Sequence, residues 1–256
     1  MLAAYDAQVR TAIPTTLPAG ETIDWDGPLL RWSGGRRGFV GYRDLAGLQG
    51  DDLQDLIART VGHFRALGEA FEWKTHAHDD PADLTDRLLA AGFVPEERET
   101  VLIGMAQLMA TEPVLPVGVT LRKVTALDDL RRIEAMEAEV WDERDRSGLA
   151  DDLAGRIAAA PEEITVLVAE AGDDVVSAAW LVPNPGTTFA GLWGGATLAA
   201  WRGRGIYRAL VARRAQLAVA RGTEFLQVDA SEDSRPILER LGFTAVTTTT
   251  PYVWTP

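Results

Sequence analysis

Apolar positions along the chain switch between spacings of three to four residues and short runs, with proline and glycine at the changes. Residues 1–35 show neither pattern. With Pro14, Pro18, Pro28 and the pair Gly34-Gly35 they read as irregular. Phe39-Val40-Gly41-Tyr42 is a short strand. Leu53, Leu56, Ile57, Val61 and Phe64 then recur at helical spacing, with Asp51 or Asp52 placed to cap that helix. A strand is expected from Phe71 to Thr75. Asp80-Pro81 has the form of an N-cap followed by proline at the first helical position. That helix carries Leu84, Leu88 and Leu89 and stops at Gly92; Thr100 to Met105 is the next strand.

Two prolines between Thr111 and Pro116 mark a linker. Beyond it the pattern predicts a strand over Val119–Val124, a helix from Leu127 to Val140, and a shorter helix over Asp151–Ala159. Ile164–Glu170 and Val175–Val182 flank the acidic turn Gly172-Asp173-Asp174 and form a hairpin. The strand Phe189–Thr197 is interrupted by Gly194-Gly195, the signature of a bulge. A long helix covers Gly205–Ala220, followed by a strand at Phe225–Val228, a helix at Arg235–Leu241 and a strand rich in β-branched residues at Thr244–Trp254.

The halves share a weak repeat. Leu88-Leu89-Ala90-Ala91-Gly92-Phe93 and Leu238-Glu239-Arg240-Leu241-Gly242-Phe243 end helices that follow the same order of strand and acid-rich turn. The first half therefore reads as a shortened copy of the last five elements of the second. The class is α+β, built as two mixed-sheet units flanked by helices, with domains at 1–110 and 117–256.

Charge narrows the partners. The 256 residues carry a formal net charge of −13 and no cysteine. An acidic surface repels phosphate backbones and disfavours nucleic acid. It attracts cationic ligands such as amines, although solubility alone also accounts for it. Absence of cysteine excludes disulfides and thiolate catalysis and fits a cytoplasmic protein. No apolar run of about 18 residues predicts a membrane span. His76 and His78, beside Asp79 and Asp80, lack an assignable third ligand, so no metal is expected.

Against that acidity one segment stands out: Trp201-Arg202-Gly203-Arg204-Gly205-Ile206-Tyr207-Arg208, between a strand and an amphipathic helix. Glycines at a strand-to-helix turn free backbone N–H groups to converge on one spot. With the helix dipole and Arg202, Arg204 and Arg208 they suit a pyrophosphate. The alternative is a tight turn whose glycines only allow close packing. No Gly-x-x-x-x-Gly-Lys-Ser/Thr occurs, and Arg208 stands where a dinucleotide-binding turn needs its third glycine.

These residues resemble the GNAT superfamily of acyl-coenzyme A transferases, whose motif is Arg/Gln-x-x-Gly-x-Gly/Ala between its fourth strand and third helix. Arg202 to Ile206 match; Tyr207 departs at the last position. The resemblance covers residues 117–254 in element order. Residues 36–107 look like a degenerate copy without the arginine-glycine loop, which makes both units GNAT-like. It implies that acetyl-coenzyme A is the co-substrate. Its pantetheine arm would pair with Ala196-Thr197-Leu198, its pyrophosphate would lie on the amides from Gly203 to Arg208, and its acyl group would sit between the strands ending near Thr197 and Val228. Ser231 stands where many members carry asparagine. Leu238 stands where many carry the tyrosine that protonates the leaving thiolate; Tyr252 is the substitute candidate. Glu137 and Asp229 are candidate bases for the attacking amine; each also has a plain reading, as a solvated helix face and as a turn cap. The implied activity is N-acetylation of a small-molecule, peptide or protein amine. The alternative is a coenzyme A-binding module that has lost transfer chemistry.

Overall fold

The computed structural model describes residues 1–141 and 148–256. The first half runs α1 (Leu2–Gln8), β1 (Thr22–Asp26), β2 (Leu29–Ser33), β3 (Gly38–Gly41), α2 (Gly50–Leu67), β4 (Phe71–His76), α3 (Leu84–Ala90), β5 (Val94–Pro95), β6 (Glu99–Met105) and α4 (Ala106–Met109). The second runs β7 (Val119–Val124), α5 (Leu127–Val140), α6 (Leu149–Ala159), β8 (Thr165–Ala171), β9 (Asp174–Pro183), β10 (Phe189–Thr197), α7 (Ile206–Ala220), β11 (Phe225–Ala230), α8 (Arg235–Leu241) and β12 (Thr244–Trp254).

All the strands join one mixed sheet in the order β1-β2-β3-β4-β12-β6-β11-β10-β9-β8-β7, with β5 against β12. The two halves exchange their last strands. β6 leaves the first half to pair with β11, while β12 leaves the second to pair with β4, and the two exchanged strands pair with each other at the centre. The segment 111–116 expected as a linker carries no helix or strand.

Both strand-to-helix units use the same physics at their ends. In one, Phe93 N–H bonds Leu88 C=O and Gly92 N–H bonds Leu89 C=O; in the other, Phe243 bonds Leu238 and Gly242 bonds Glu239. This left-handed helix stop needs positive φ, which Gly92 (91°) and Gly242 (101°) supply. Leu88 and Leu238 are both fully buried. The repeated letters thus record a repeated helix cap.

One face of the sheet is covered by α2 over Phe71, Trp73, Tyr252 and Trp254, and by α7 over Leu192, Leu226 and Val228. The other face is covered by α5 and α6 over Val166, Ala178 and Trp180, and by Tyr5 of α1 over Val101, Ile103 and Phe189. Each such fully buried large side chain stabilises the fold by roughly 1.5–3 kcal/mol.

Three local expectations fail. Residues 1–35 hold α1 and the β1–β2 hairpin, whose register runs from Thr22↔Ser33 to Asp26↔Leu29. β1 buries no residue, and Ile23 and Trp25 are its only apolar residues. Asp51 and Asp52 do not cap α2; Gln49 is the N-cap and both acids lie in the first turn. Asp80-Pro81 does not open a helix: α3 begins at Leu84, and residues 78–81 line a cavity instead.

Candidate functional site

β10 and β11 are parallel partners only from Phe189↔Phe225 to Gly191↔Gln227. β10 continues to Thr197 and β11 to Ala230, so the two strands part and leave a gap between them. The bulge expected in β10 is present, as a register shift between Gly194 and Ala196. Gly194 and Gly195 both have positive φ, and a side chain at either would strike an aromatic ring: Trp180 at 2.5 Å from position 194, Tyr207 at 2.8 Å from position 195.

Arg214 holds the bulge from behind. This side chain on α7 is 1% exposed and donates to the carbonyls of Leu210 (3.1 Å), Trp180 (3.3 Å) and Trp193 (3.1 Å). Among the described residues it has no carboxylate partner, and burial lowers its guanidinium to about 10. The sequence offered no way to single it out, because at its position on a helix an arginine is ordinarily a surface residue.

The loop expected to take an anion follows directly. After a 3₁₀ turn at Ala199–Trp201, Gly203 (φ 73°) and Gly205 (φ 87°) reverse the chain, and Gly205 is the N-cap of α7. Gly205 C=O accepts the first helical bond, from Ala209 N–H at 3.0 Å. The N–H groups of Ile206, Tyr207 and Arg208 begin the helix and so have no partner within it. No acidic side chain lies in this first turn. Arg202 Nε donates to Thr197 C=O at 3.0 Å, which ties the loop to the strand end. Arg204 lies over the Trp201 ring at 4.8 Å, and Arg202, Arg204 and Arg208 are exposed. Ser177 Oγ donates to Ala196 C=O at 2.6 Å and bonds Thr197 Oγ1 at 2.8 Å, fixing the same strand end from β9. Leu198, at intermediate exposure, leads into the 3₁₀ turn. The residues from Ala196 to Arg208 thus meet at one mouth of the gap.

The candidate bases fare differently. Glu137 is 1% exposed, four residues after the buried Ile133 on the face of α5 that covers Trp180 and Ala196. It is not a solvated helix position. Asp229 is held by two donors, Lys74 Nζ at 2.9 Å and Gln227 Nε2 at 2.6 Å, and does not cap the following turn. That cap is Ser231, whose side chain accepts a hydrogen bond from Ser234 N–H at 3.4 Å. Tyr252 lies 8% exposed in the core of the first half, opposite Trp73 on β4, because its strand is the exchanged one. It is therefore not brought to the gap. Leu238 is buried behind the gap with Val228, Ala230 and Leu192.

Lys74 comes from the first half and ties the two halves together. Burial pulls its ammonium down, but Asp229, Glu72 and Glu99 hold it well above the ordinary lysine value. Glu99, on the exchanged β6, is pushed up to about 7 by burial and by Asp229, Glu72 and Glu96, with Lys74 3.7 Å away opposing the shift. Among the described residues no group of three His, Asp or Glu side chains is arranged to hold a metal ion, and no helix is long and apolar enough to cross a membrane.

Residues 127–243 match the acetyltransferase (GNAT) family. No curated protein matches the sequence. Among solved structures, the chain is similar to a GCN5-related N-acetyltransferase from Kribbella flavida (TM-score 0.68, 15% identity, 93% of this chain and 90% of that one). It is also similar to a tandem GNAT protein from the clavulanic acid biosynthesis pathway (TM-score 0.64, 14% identity, 94% and 85%). A third is a GCN5-related N-acetyltransferase from Sphaerobacter thermophilus (TM-score 0.61, 13% identity, 91% and 82%). At these identities the likeness is one of fold.

Proposed function

On the premise that residues 127–243 form a GNAT acetyltransferase segment, we propose that the protein transfers an acetyl group from acetyl-coenzyme A to an amine of a small molecule, peptide or protein. The observation that carries this reading is the parting of β10 from β11 directly below an arginine-bearing, acid-free helix start. The first-turn amides of α7, with Arg202, Arg204 and Arg208, take the pyrophosphate. The bulged end of β10, Ala196 to Leu198, offers backbone groups to the pantetheine arm. The acyl group then lies in the gap, near Val228.

The amine nitrogen attacks the thioester carbonyl carbon, a C–N bond forms, and the C–S bond breaks with its electron pair leaving on sulfur. Glu137 and Asp229 are the candidate bases for the amine proton. Asp229 accepts hydrogen bonds from Lys74 and Gln227.

A second reading, a coenzyme A-binding module without transfer, is favoured by Leu238, a buried aliphatic side chain behind the gap that cannot protonate a thiolate. The test is thiol release from acetyl-coenzyme A over a panel of amines. Release with any acceptor supports transfer; cofactor binding with no release across the panel supports the module.

A further inference from the structure

Along the parting end of β10, side chains take the backbone carbonyls. Trp193 C=O accepts from Arg214 Nη1 at 3.1 Å, Ala196 C=O from Ser177 Oγ at 2.6 Å, and Thr197 C=O from Arg202 Nε at 3.0 Å. The donors come from α7, from β9 and from the loop before α7. Of these, Arg214 spans two strands. Its Nη1 also donates to Trp180 C=O on β9 at 3.3 Å, and Trp180 is the cross-strand partner of Trp193. Its Nε is anchored one turn back, at Leu210 C=O, 3.1 Å away. The guanidinium therefore clamps the β9–β10 ladder at the pair that precedes Gly194, where the register shift begins. The rings of Trp180 and Tyr207 close on Gly194 and Gly195 themselves.

We propose that Arg214 is a positioning residue for the pantetheine arm: it fixes the bulge beyond which β10 runs apart from β11, and so sets the strand edge along which the arm lies. This rests on the acetyl-transfer reading above. A bulge interrupts the ladder and bends its strand. Past Gly191 the strand has also lost β11 as a partner, so its course depends on what holds it from β9 and α7. The planar guanidinium presents several donors in a fixed fork, which suits carbonyls on two strands and a helix at once. Stability alone does not account for the choice. A buried cation with no carboxylate partner among the described residues costs more than an aliphatic side chain of similar volume. What the fold keeps with it is a fixed strand end. The hydrogen bonds of Arg214 reach β9, β10 and its own helix but none of residues 202–208. Its effect therefore falls on the arm and not on the nucleotide.

The experiment needs no acceptor. Acetyl-coenzyme A and phosphoadenosine diphosphate, the nucleotide part of the cofactor without its pantetheine arm, are titrated calorimetrically into the wild type, Arg214→Lys and Arg214→Met. The expected result in Arg214→Met is a loss of about tenfold or more in acetyl-coenzyme A affinity, with phosphoadenosine diphosphate bound within about twofold of wild type. Arg214→Lys keeps the cation and loses the fork, so its acetyl-coenzyme A affinity should fall between the two. If Arg214→Met does not fold, Arg214→Lys carries the same comparison. Acetyl-coenzyme A affinity that holds in the variants overturns the assignment. So does a parallel loss of both ligands, which makes Arg214 a general support of the fold. A wild type that binds both ligands equally well gives the arm no share in binding and overturns the positioning role alone. No binding of either ligand to the wild type defeats the acetyl-transfer reading itself, and the positioning role with it.

Discussion

The two halves build the same strand–turn–helix unit and finish it in opposite ways. In the first, β3 and β4 pair over three positions, Gly38↔Phe71 to Val40↔Trp73, and then part as β10 and β11 do. There the chain fills its own gap. Gly41 is so close to the Arg10 backbone that a side chain would meet its carbonyl at 2.8 Å. The Arg10 guanidinium, 2% exposed, bonds Asp79 at 2.6 Å and lies over the Tyr42 ring, and Asp79 also accepts from Tyr42 and from His76 N–H. A cavity of about 440 Å³ remains, lined by Asp6, Asp44, Asp79 and Asp80 as well as Arg10 and Arg43. Its helix starts Gly50-Asp51-Asp52 after N-cap Gln49, where the other starts Ile206-Tyr207-Arg208 after N-cap Gly205. Two carboxylates in the first turn neutralise the dipole and repel a phosphate. On the reading proposed above, one fold gives an anion site or a self-sealed brace, according to what the turn carries and what lies across the gap.

That contrast breaks most visibly at Arg10. Arg10→Met should leave Asp79 buried without its cation and lower stability by about 3–5 kcal/mol, read from urea unfolding, with acetyl-coenzyme A affinity unchanged in the protein that folds. A loss of affinity would mean that the sealed half shapes the open one. Next in size, Arg202→Glu with Arg204→Glu should weaken acetyl-coenzyme A binding by about 100-fold or more while the unfolding midpoint holds, since both side chains are exposed and each charge is reversed beside the proposed phosphate site. Unchanged affinity would make the loop a structural turn.

Smaller effects probe what the halves share. Gly92→Ala and Gly242→Ala should each cost about 1 kcal/mol, because both positions require left-handed backbone; a large difference between the two would mean that the matched caps are not equivalent. The smallest is a slope. Glu99 has its pKa raised in the folded state to about 7, so the folded chain holds a proton that the unfolded chain releases. Stability from this group is therefore full below about pH 4 and declines as pH rises from the ordinary glutamate range to about 7. Glu99→Gln should flatten that decline relative to wild type in unfolding midpoints measured between pH 5 and 8.

Much of this contrast was legible in the sequence, and for local reasons. The arginine-glycine turn, the Gly194-Gly195 bulge, the hairpin at Gly172 and the paired Leu…Gly-Phe helix stops are short-range chemistry, in which neighbouring residues dictate backbone conformation. Other features are long-range. The strand exchange cannot be read from periodicity, because β6 and β12 would carry the same pattern with either partner. It decides the fate of Tyr252, which the exchange carries into the other half's core. It also decides the fate of Asp229, which meets Lys74 from 155 positions away. The α1 helix and the β1–β2 hairpin escaped notice because they are short and β1 buries nothing. Arg214 and the placement of Tyr207 depend on the bulge behind which they pack.

The claim at the centre is that one gap, the open one in the second half, takes the acyl-coenzyme A. Calorimetric titration of the whole protein with acetyl-coenzyme A tests it most directly. The account predicts one equivalent bound with micromolar affinity in the wild type and none detectable in the Arg202→Glu, Arg204→Glu variant. Two equivalents, or one that survives in that variant, would place the cofactor elsewhere, and no heat at any concentration would contradict the account outright.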